Sequence, residues 1–537
     1  MGDLDMNKQQ YLSLLQTRLN SRQIGRRDFM RGALAIGLGV AAATGLADRA
    51  AAATPQKGGM LTVGIGHGAT TDTLDPGRLE AGFLIPLALG VNGYLTEIDA
   101  NSAVRPSIAE SWEASPDAKV WTFKLRQGVE FHNGKPVTVE DVIASINYHR
   151  GEQSESAGAP LVANVTEIRA DGSDTVIFEL DAGNADFPAA LSDYHFPILP
   201  SADGEIDWQS GIGCGAYRLD NFDPGVSADL SRFENHWTDA VGHVENWRLL
   251  TLLDTNARMT AAVSGDVDII NKVDLKTATL FARKPGINLH SVAGTQHYSF
   301  PMLTNTSPFD DNNVHQAIKW GIDREELVEK ILFGYGSVGN DHPIGSGQRF
   351  FNTELRQKAY DPDKAKHFLK QAGLDSLDVR LSASDAAFPG AIDAALLIQN
   401  SAKECGINVE VSREPNDGYW SDIWKKAPWC ASYWAGRPVE DLMFSLAFKS
   451  GVSWNESFWS NERFDSLLVE ARAELDEAKR REMYFEMQDI VANKGGVAIP
   501  MFASYVFATS DAVRTPDTFA SNQDLDGAKF MERWWKV

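Results

Sequence analysis

Ala109-Glu110-Ser111-Trp112, Val120-Trp121-Thr122-Phe123-Lys124-Leu125-Arg126 and Gly128-Val129-Glu130-Phe131-His132-Asn133-Gly134 are the neighbouring runs from which the architecture of this chain is read. Trp121, Phe123 and Leu125 alternate with polar residues at period two, the spacing that sets one face of a strand against a core and the other in water. The runs predict a hairpin, and Asn133-Gly134 is a strong tight-turn dipeptide. Thr138 then caps a predicted helix that runs to Arg150, with Asp141 in the capping-box position and Gly151 beyond the end. The chemistry of this block is structural.

Upstream, Gly59-Met60-Leu61-Thr62-Val63-Gly64-Ile65 reads as a first strand feeding a turn-rich loop through Asp75-Pro76-Gly77. Gly64, Gly66 and Ala69 imitate a dinucleotide fingerprint. Thr70, Thr71, Asp72 and Pro76 are turn formers where that fingerprint needs a helix start, so nucleotide binding is rejected. Far downstream, Phe464, Leu467, Leu468, Ala471, Leu475, Met483, Met487 and Ile490 fall mostly at three- and four-residue spacing. They predict one helix from Asn461 to about Lys494 with a core stripe and a solvated face.

The N-terminus carries an address. Gly25-Arg26-Arg27-Asp28-Phe29-Met30-Arg31 follows a polar run and precedes an apolar stretch from Gly32 to Leu46, the pattern of a twin-arginine export signal. The small residues Ala50 to Ala53 offer a cleavage site near residue 53, so residues 1–53 are expected to be removed and the protein to act in the periplasm. The apolar stretch, at about fifteen residues, falls short of the roughly twenty that span a bilayer. This leader has a net charge of +3, which leaves the remainder more acidic than the −23 of the whole 537-residue chain. So acidic a surface opposes phosphate neutralisation, and nucleic acid is excluded as a partner. Cys214, Cys405 and Cys430 are widely separated without C-x-x-C spacing, so a metal cluster is unsupported and buried free thiols are expected.

The order Ser-Trp, Phe-Lys-Leu-Arg, Gly-Val-x-Phe-His-x-Gly, Asp-Val resembles the signature of the family 5 extracellular solute-binding proteins, which serve peptide and nickel ABC importers. The similarity continues in register through residues 57 to 537. Gly213-Cys214-Gly215-Ala216-Tyr217 and Ser264-Gly265-Asp266-Val267-Asp268-Ile269 match family segments, as do Asn305-Thr306, Phe309-Asp310-Asp311, Ala317-Ile318 and Ile322-Asp323-Arg324. Tyr360-Asp361-Pro362-Asp363-Lys364-Ala365 resembles the start of a family helix, with Pro362 at the first helical position and Gly373 closing it.

The resemblance implies an α/β, two-lobed periplasmic binding protein fold of type II, in its large three-subdomain variant, with two hinge crossings. Lobe I would use residues 57–298 plus 503–537, with a subdomain at about 94–212, and lobe II residues 299–502. A monomer without a cofactor would enclose a small molecule and hand it to an ABC permease and its ATPase in the inner membrane. In dipeptide-binding relatives an aspartate four residues before a proline holds the peptide ammonium, and here the residue four before Pro438 is Trp434. An arginine four before another proline holds the peptide carboxylate, and here Asp385 stands four before Pro389. Burying an ammonium without a counter-charge is costly, so a dipeptide in the usual pose is disfavoured.

The expected second-lobe ligand contacts are therefore Trp434, Asp385, Arg437, Tyr419 and Tyr433. Tyr419 and Trp434 stand in an aromatic set with Trp420, Trp424, Trp429 and Tyr433. For Arg437 the competing reading is a salt bridge to Glu440 or Asp441, and Asp385 has a competing role as a helix cap. In the first lobe, loops beyond strand ends face the cleft and offer His67, Gly82 and Phe83. The leading function is capture of a peptide-like, amine or opine-type solute. The alternatives are a metal-chelate receptor, in which His67 would act with His297 or His342, an oligosaccharide binder, and an exported enzyme. The last is disfavoured because neither G-x-S-x-G nor H-E-x-x-H occurs.

Overall fold

The first strand, Met60–Ile65, is the hub of a seven-stranded sheet. Its Leu61, Val63 and Ile65, alternate residues on one face, are fully buried in the first-lobe core, and on the other face Gly64 is buried too. It pairs in parallel with Asn246–Thr251 on one side and Ile269–Ile270 on the other. The computed structural model describes Arg31 and residues 55–537 apart from 80, 81, 152, 153, 417 and 438. The twin-arginine motif and the cleavage site lie outside the described residues. Among those described, no helix is long and apolar enough to cross a membrane.

Beyond Val292 the chain leaves this sheet and enters a second, four-stranded one in the order Gly336–Val338, Val497–Ala503, His297–Pro301 and Ser432–Trp434. It returns at Tyr505–Ser510, which pairs with Ile269–Ile270 and Ile287–Val292. Two crossings, Val292 to His297 and Ala503 to Tyr505, thus join two lobes built on separate sheets. The second lobe adds a parallel pair, Leu377–Ala383 with Ile407–Arg413, bridged by the helix Ala391–Lys403.

The predicted hairpin is present: Ala109–Ala114 pairs antiparallel with Val120–Leu125, inside a four-stranded sheet with its own core around Phe123, Phe131 and Phe178. The Asn133-Gly134 turn closes with the Gly134 amide donating to the Phe131 carbonyl at 2.8 Å, Gly134 taking φ +83°. Thr138 and Asp141 make the full capping box. The helix they open ends at Asn147 rather than Arg150. Pro362–Gln371 begins at its proline, capped by Asp361.

One expectation is corrected. The long helix is two, Glu462–Ala473 and Glu477–Lys494, because Asp476 turns its carboxylate onto the amides of Ala478 and Lys479 and starts a new helix. Leu475, assigned to the core stripe, sits in the break and is exposed. Cys214, Cys405 and Cys430 are buried and free.

Candidate functional site

The carboxyl ends of the parallel first-lobe strands face the second lobe, the position where α/β sheets bind ligands. Arg258, from the helix Thr255–Ser264, holds these ends together. Its guanidinium donates to the carbonyls of Leu252, Leu253, Asn271 and Lys272 at 2.5 to 3.2 Å. A side chain on Gly66 would strike that guanidinium, its Cβ lying 2.7 Å from Cζ. Asn271 then accepts from the Gly66 amide and donates to Asp524 of the returning C-terminal piece. Burial pushes the Asp524 carboxyl up to about 6.

Opposite this floor lies a groove of about 460 Å³ between the lobes. The first lobe contributes Thr255, Asn256 and the segment Lys272 to Lys276; the second contributes Tyr298, Lys330 to Phe333, Pro389, Gly390 and Asp393. Tyr298 stacks on Phe388 at 4.0 Å and pairs across the sheet with Tyr433. Tyr433 is 42% exposed and packs edge-on against Trp420, 40% exposed, at 5.7 Å. An aromatic wall therefore runs from the groove along the edge strand Ser432–Trp434.

Behind that wall is a residue that sequence reasoning missed. Glu456 is buried and accepts from Ser299 at 3.1 Å, Ser432 at 2.8 Å and the Trp424 indole at 2.9 Å. Trp434 adds to the same cradle. Burial raises the carboxyl above its ordinary range, against which these donors work. One acid thus anchors two indoles and two strands. No local signal marks it, since its hydrogen-bond partners Ser432, Trp424 and Ser299 lie 24, 32 and 157 residues away and Trp434 comes from the same distant strand as Ser432.

The residues named from sequence divide. Asp385 is exposed and accepts from the Gly390 amide at 3.1 Å; Gly390 is itself the N-cap of the helix Ala391–Lys403 and no side chain caps that helix, so the capping role expected of Asp385 is not met. Arg437 follows the edge strand, half-buried; the expected bridge to Glu440 or Asp441 is absent, because Glu440 takes the Phe350 amide and Asp441 takes Arg472. His67 accepts from the Gly82 amide through Nδ1 at 2.8 Å, so the neutral ring carries its proton on Nε2. Burial and the Lys272 ammonium both lower its pKa, with Asp72 opposing.

Three expected contacts are corrected. Tyr419 is 1% exposed and its hydroxyl donates to the carbonyls of Ser382 and Ala431, so it braces the core. Phe83 is fully buried in the first-lobe core beside Leu61 and Trp247. Trp434 is lodged with Phe350 and Phe444 in a second-lobe cluster, a support for the wall more than its surface. His297 and His342, the helpers of the metal-chelate alternative, are likewise buried, which pushes their imidazoles down to about 4 and about 3. Among the described residues no group of three or more His, Cys, Asp or Glu is placed to hold a metal ion.

Residues 103–456 match the family described as bacterial extracellular solute-binding proteins, family 5 Middle. The chain is 24% identical over 435 residues to a dipeptide-binding protein of Escherichia coli, covering 74% of this chain and 80% of that one. It is 23% identical over 488 residues to the glutathione-binding protein GsiB of Shigella flexneri, covering 86% and 93%. The fold is similar to the structure of HbpA2 from Haemophilus parasuis, with a TM-score of 0.77 at 19% identity, over 86% of this chain and 98% of that one.

Proposed function

Since the chain belongs to the bacterial extracellular solute-binding proteins of family 5, we propose that its inter-lobe groove captures a peptide-like, amine or opine-type solute. Proteins of this family act in the periplasm or outside the cell, bind small ligands and deliver them to ABC permease–ATPase complexes, without turnover. The chain is the solute-binding component of such an importer. The observation that carries our reading of the site is the groove itself, set at first-lobe strand ends and lined from the second lobe by Tyr298, the cross-strand partner of the exposed Tyr433.

The solute is held between lobe I, which the chain leaves after Val292 and rejoins at Tyr505, and lobe II, from His297 to Ala503, with the subdomain at about 94–212 moving with lobe I. His67 and Gly82 from the first lobe and Asp385, Tyr433 and Arg437 from the second are its candidate contacts, with Trp434 behind them. Binding energy shifts an open–closed equilibrium, and the permease reads the closed form. The protein works as a monomer and reaches the periplasm folded, by the twin-arginine route.

Thermal unfolding across peptides, amines, opines and sugars tests the reading. A bound solute at a hundredfold excess over its Kd adds about 2.7 kcal/mol of stability. If no compound of any class moved the transition at millimolar concentration, the groove would not be a solute site.

A further inference from the structure

Four other arginines that are buried or half-buried have their charge answered by an acid. Arg324 meets Asp341 at 2.7 Å, Arg472 meets Asp441 at 3.1 Å, Arg480 meets Asp186 at 2.5 Å and Arg533 meets Asp526 at 3.0 Å. Arg258 has no acid but spends its donors on carbonyls of the loops it knits. Arg437 differs. Its hydrogen bonds both come from Nη1 and both go to carbonyls of its own loop, Ala435 at 3.1 Å and Gly436 at 3.2 Å. Among the described residues, Nε and Nη2 have no acceptor and no carboxylate lies within ion-pair distance.

The surroundings leave the charge standing. The indole of Trp434 lies under the guanidinium at 5.9 Å. Across the interface the groups that face it are Tyr194 and Asp193, and Asp193 already accepts from the His195 ring at 2.6 Å and its amide at 3.0 Å. His297, on its own lobe, is buried and neutral. The groove, whose lining reaches the same sheet edge at Tyr298 but does not include Arg437, is also cationic in balance, with Lys272, Lys276 and Lys330 against Asp274 and Asp393. Asp385, the acid that would suit an ammonium, is tied to a backbone amide.

We propose that the solute is an organic acid, which presents a carboxylate to the open Nε–Nη2 edge of Arg437 and lays a flat or apolar body along Tyr433 and Trp420. The inference rests on the reading of the groove as a solute site and narrows it, favouring opine-type and aromatic acids over amines and ordinary dipeptides. A guanidinium offers parallel donors that match a carboxylate's two oxygens, and the bond is charge-assisted on both sides. A half-desolvated cation left without a partner is costly, and a ligand that supplies the counter-charge relieves that cost on binding.

The test uses the full mature protein and its Arg437→Met and Arg437→Lys variants, by thermal shift and calorimetry. The probes are N-(1-carboxyethyl) amino acids and phenylacetate, each beside its amide, with Ala-Phe, phenethylamine and inorganic phosphate as contrasts. An acid is expected to stabilise the native chain while its amide does not. Arg437→Met should weaken that acid at least tenfold, with Arg437→Lys between the two, and circular dichroism should show both variants folded. Stabilisation by phenethylamine or Ala-Phe with none by the acids would overturn the inference and leave the solute site standing. So would equal affinity of an acid for Arg437→Met, or a response to phosphate alone. Silence from every probe in all three proteins would sink the site itself.

Discussion

The second lobe meets the first-lobe side of the molecule at several places beyond the crossings, among them Gly347 with Ser102 and Ser521 and Tyr335 with Thr279, and two others lie only a few residues apart on the first-lobe chain. At one, Arg480 donates to Asp186 at 2.5 Å, the Ala185 amide donates to the Arg472 carbonyl at 2.6 Å, and Gly183 lies so close to Ala473 that a Cβ would sit 2.9 Å away. The side chains of this ion pair are 4% and 11% exposed. At the other, Arg437 faces Asp193 and Tyr194 with no acid of its own and with exposed rings beside it. The first contact is closed and answers its own charge. The second leaves a cation open, and that difference separates a surface made to hold two bodies together from one made to read a solute.

The comparison breaks most severely at Arg480. Removing one partner of a buried ion pair strands the other, so Arg480→Met should cost about 3 to 5 kcal/mol in urea unfolding. Adding Asp186→Leu should recover much of the loss, because the uncompensated carboxylate disappears with it. A loss below about 1 kcal/mol would mean that the contact is peripheral.

The same region carries a titrating acid. Burial, with Asp186 adding to it, pushes the Glu440 carboxyl up to about 7 from an ordinary 4.5. A carboxyl raised on folding holds its proton better in the native state. Its stabilising contribution is therefore complete below pH 4.5 and is lost as pH rises through about 7. Glu440→Gln keeps an acceptor for the Phe350 amide and has no charge to bury. Its advantage over the native chain should grow between those pH values and level off at up to about 3 kcal/mol above them. An advantage that does not vary with pH would place the titration elsewhere.

Behind the open contact, Glu456→Gln should cost about 1 to 3 kcal/mol, since the amide group turns donors toward the hydroxyls and indoles that Glu456 accepts from. Near-UV circular dichroism should change with it, reporting the loosened Trp424 and Trp434. An unchanged spectrum would show that the wall does not depend on this acid.

What was legible in the sequence follows the range of the forces involved. The capping box of Thr138 and Asp141, the alternation of Trp121, Phe123 and Leu125, and the Pro362 helix start are set within a few residues and were read correctly. The break at Asp476 was missed because its flanks are strong helix formers, and a single capping carboxylate outweighs their pattern. At the site, loop position singled out Arg437 and Asp385. Arg258, Asn271, Asp524 and Glu456 went unseen because their partners come from other segments, Asp524 lying 253 residues from Asn271. Tyr419 was misassigned for the opposite reason: an aromatic residue in a polar loop gives no sign of whether a carbonyl waits for its hydroxyl inside.

The smallest effect on stability should separate the two contacts most sharply. Tyr433 is 42% exposed on an edge strand, and its ring touches Trp420 without filling a core. Tyr433→Ala should therefore change stability by no more than about 0.5 kcal/mol, the range of surface substitutions. If the ring stacks on the solute, the same substitution removes about 0.5 to 1.5 kcal/mol of binding, a loss of roughly two- to thirteenfold in affinity for whichever acid binds. Arg480→Met should behave in the reverse way, with a large loss of stability carried into affinity only through the closed form. Should Tyr433→Ala destabilise the unliganded protein by more than about 1 kcal/mol and leave affinity intact, the wall would be structural and the contrast between the two contacts would fail.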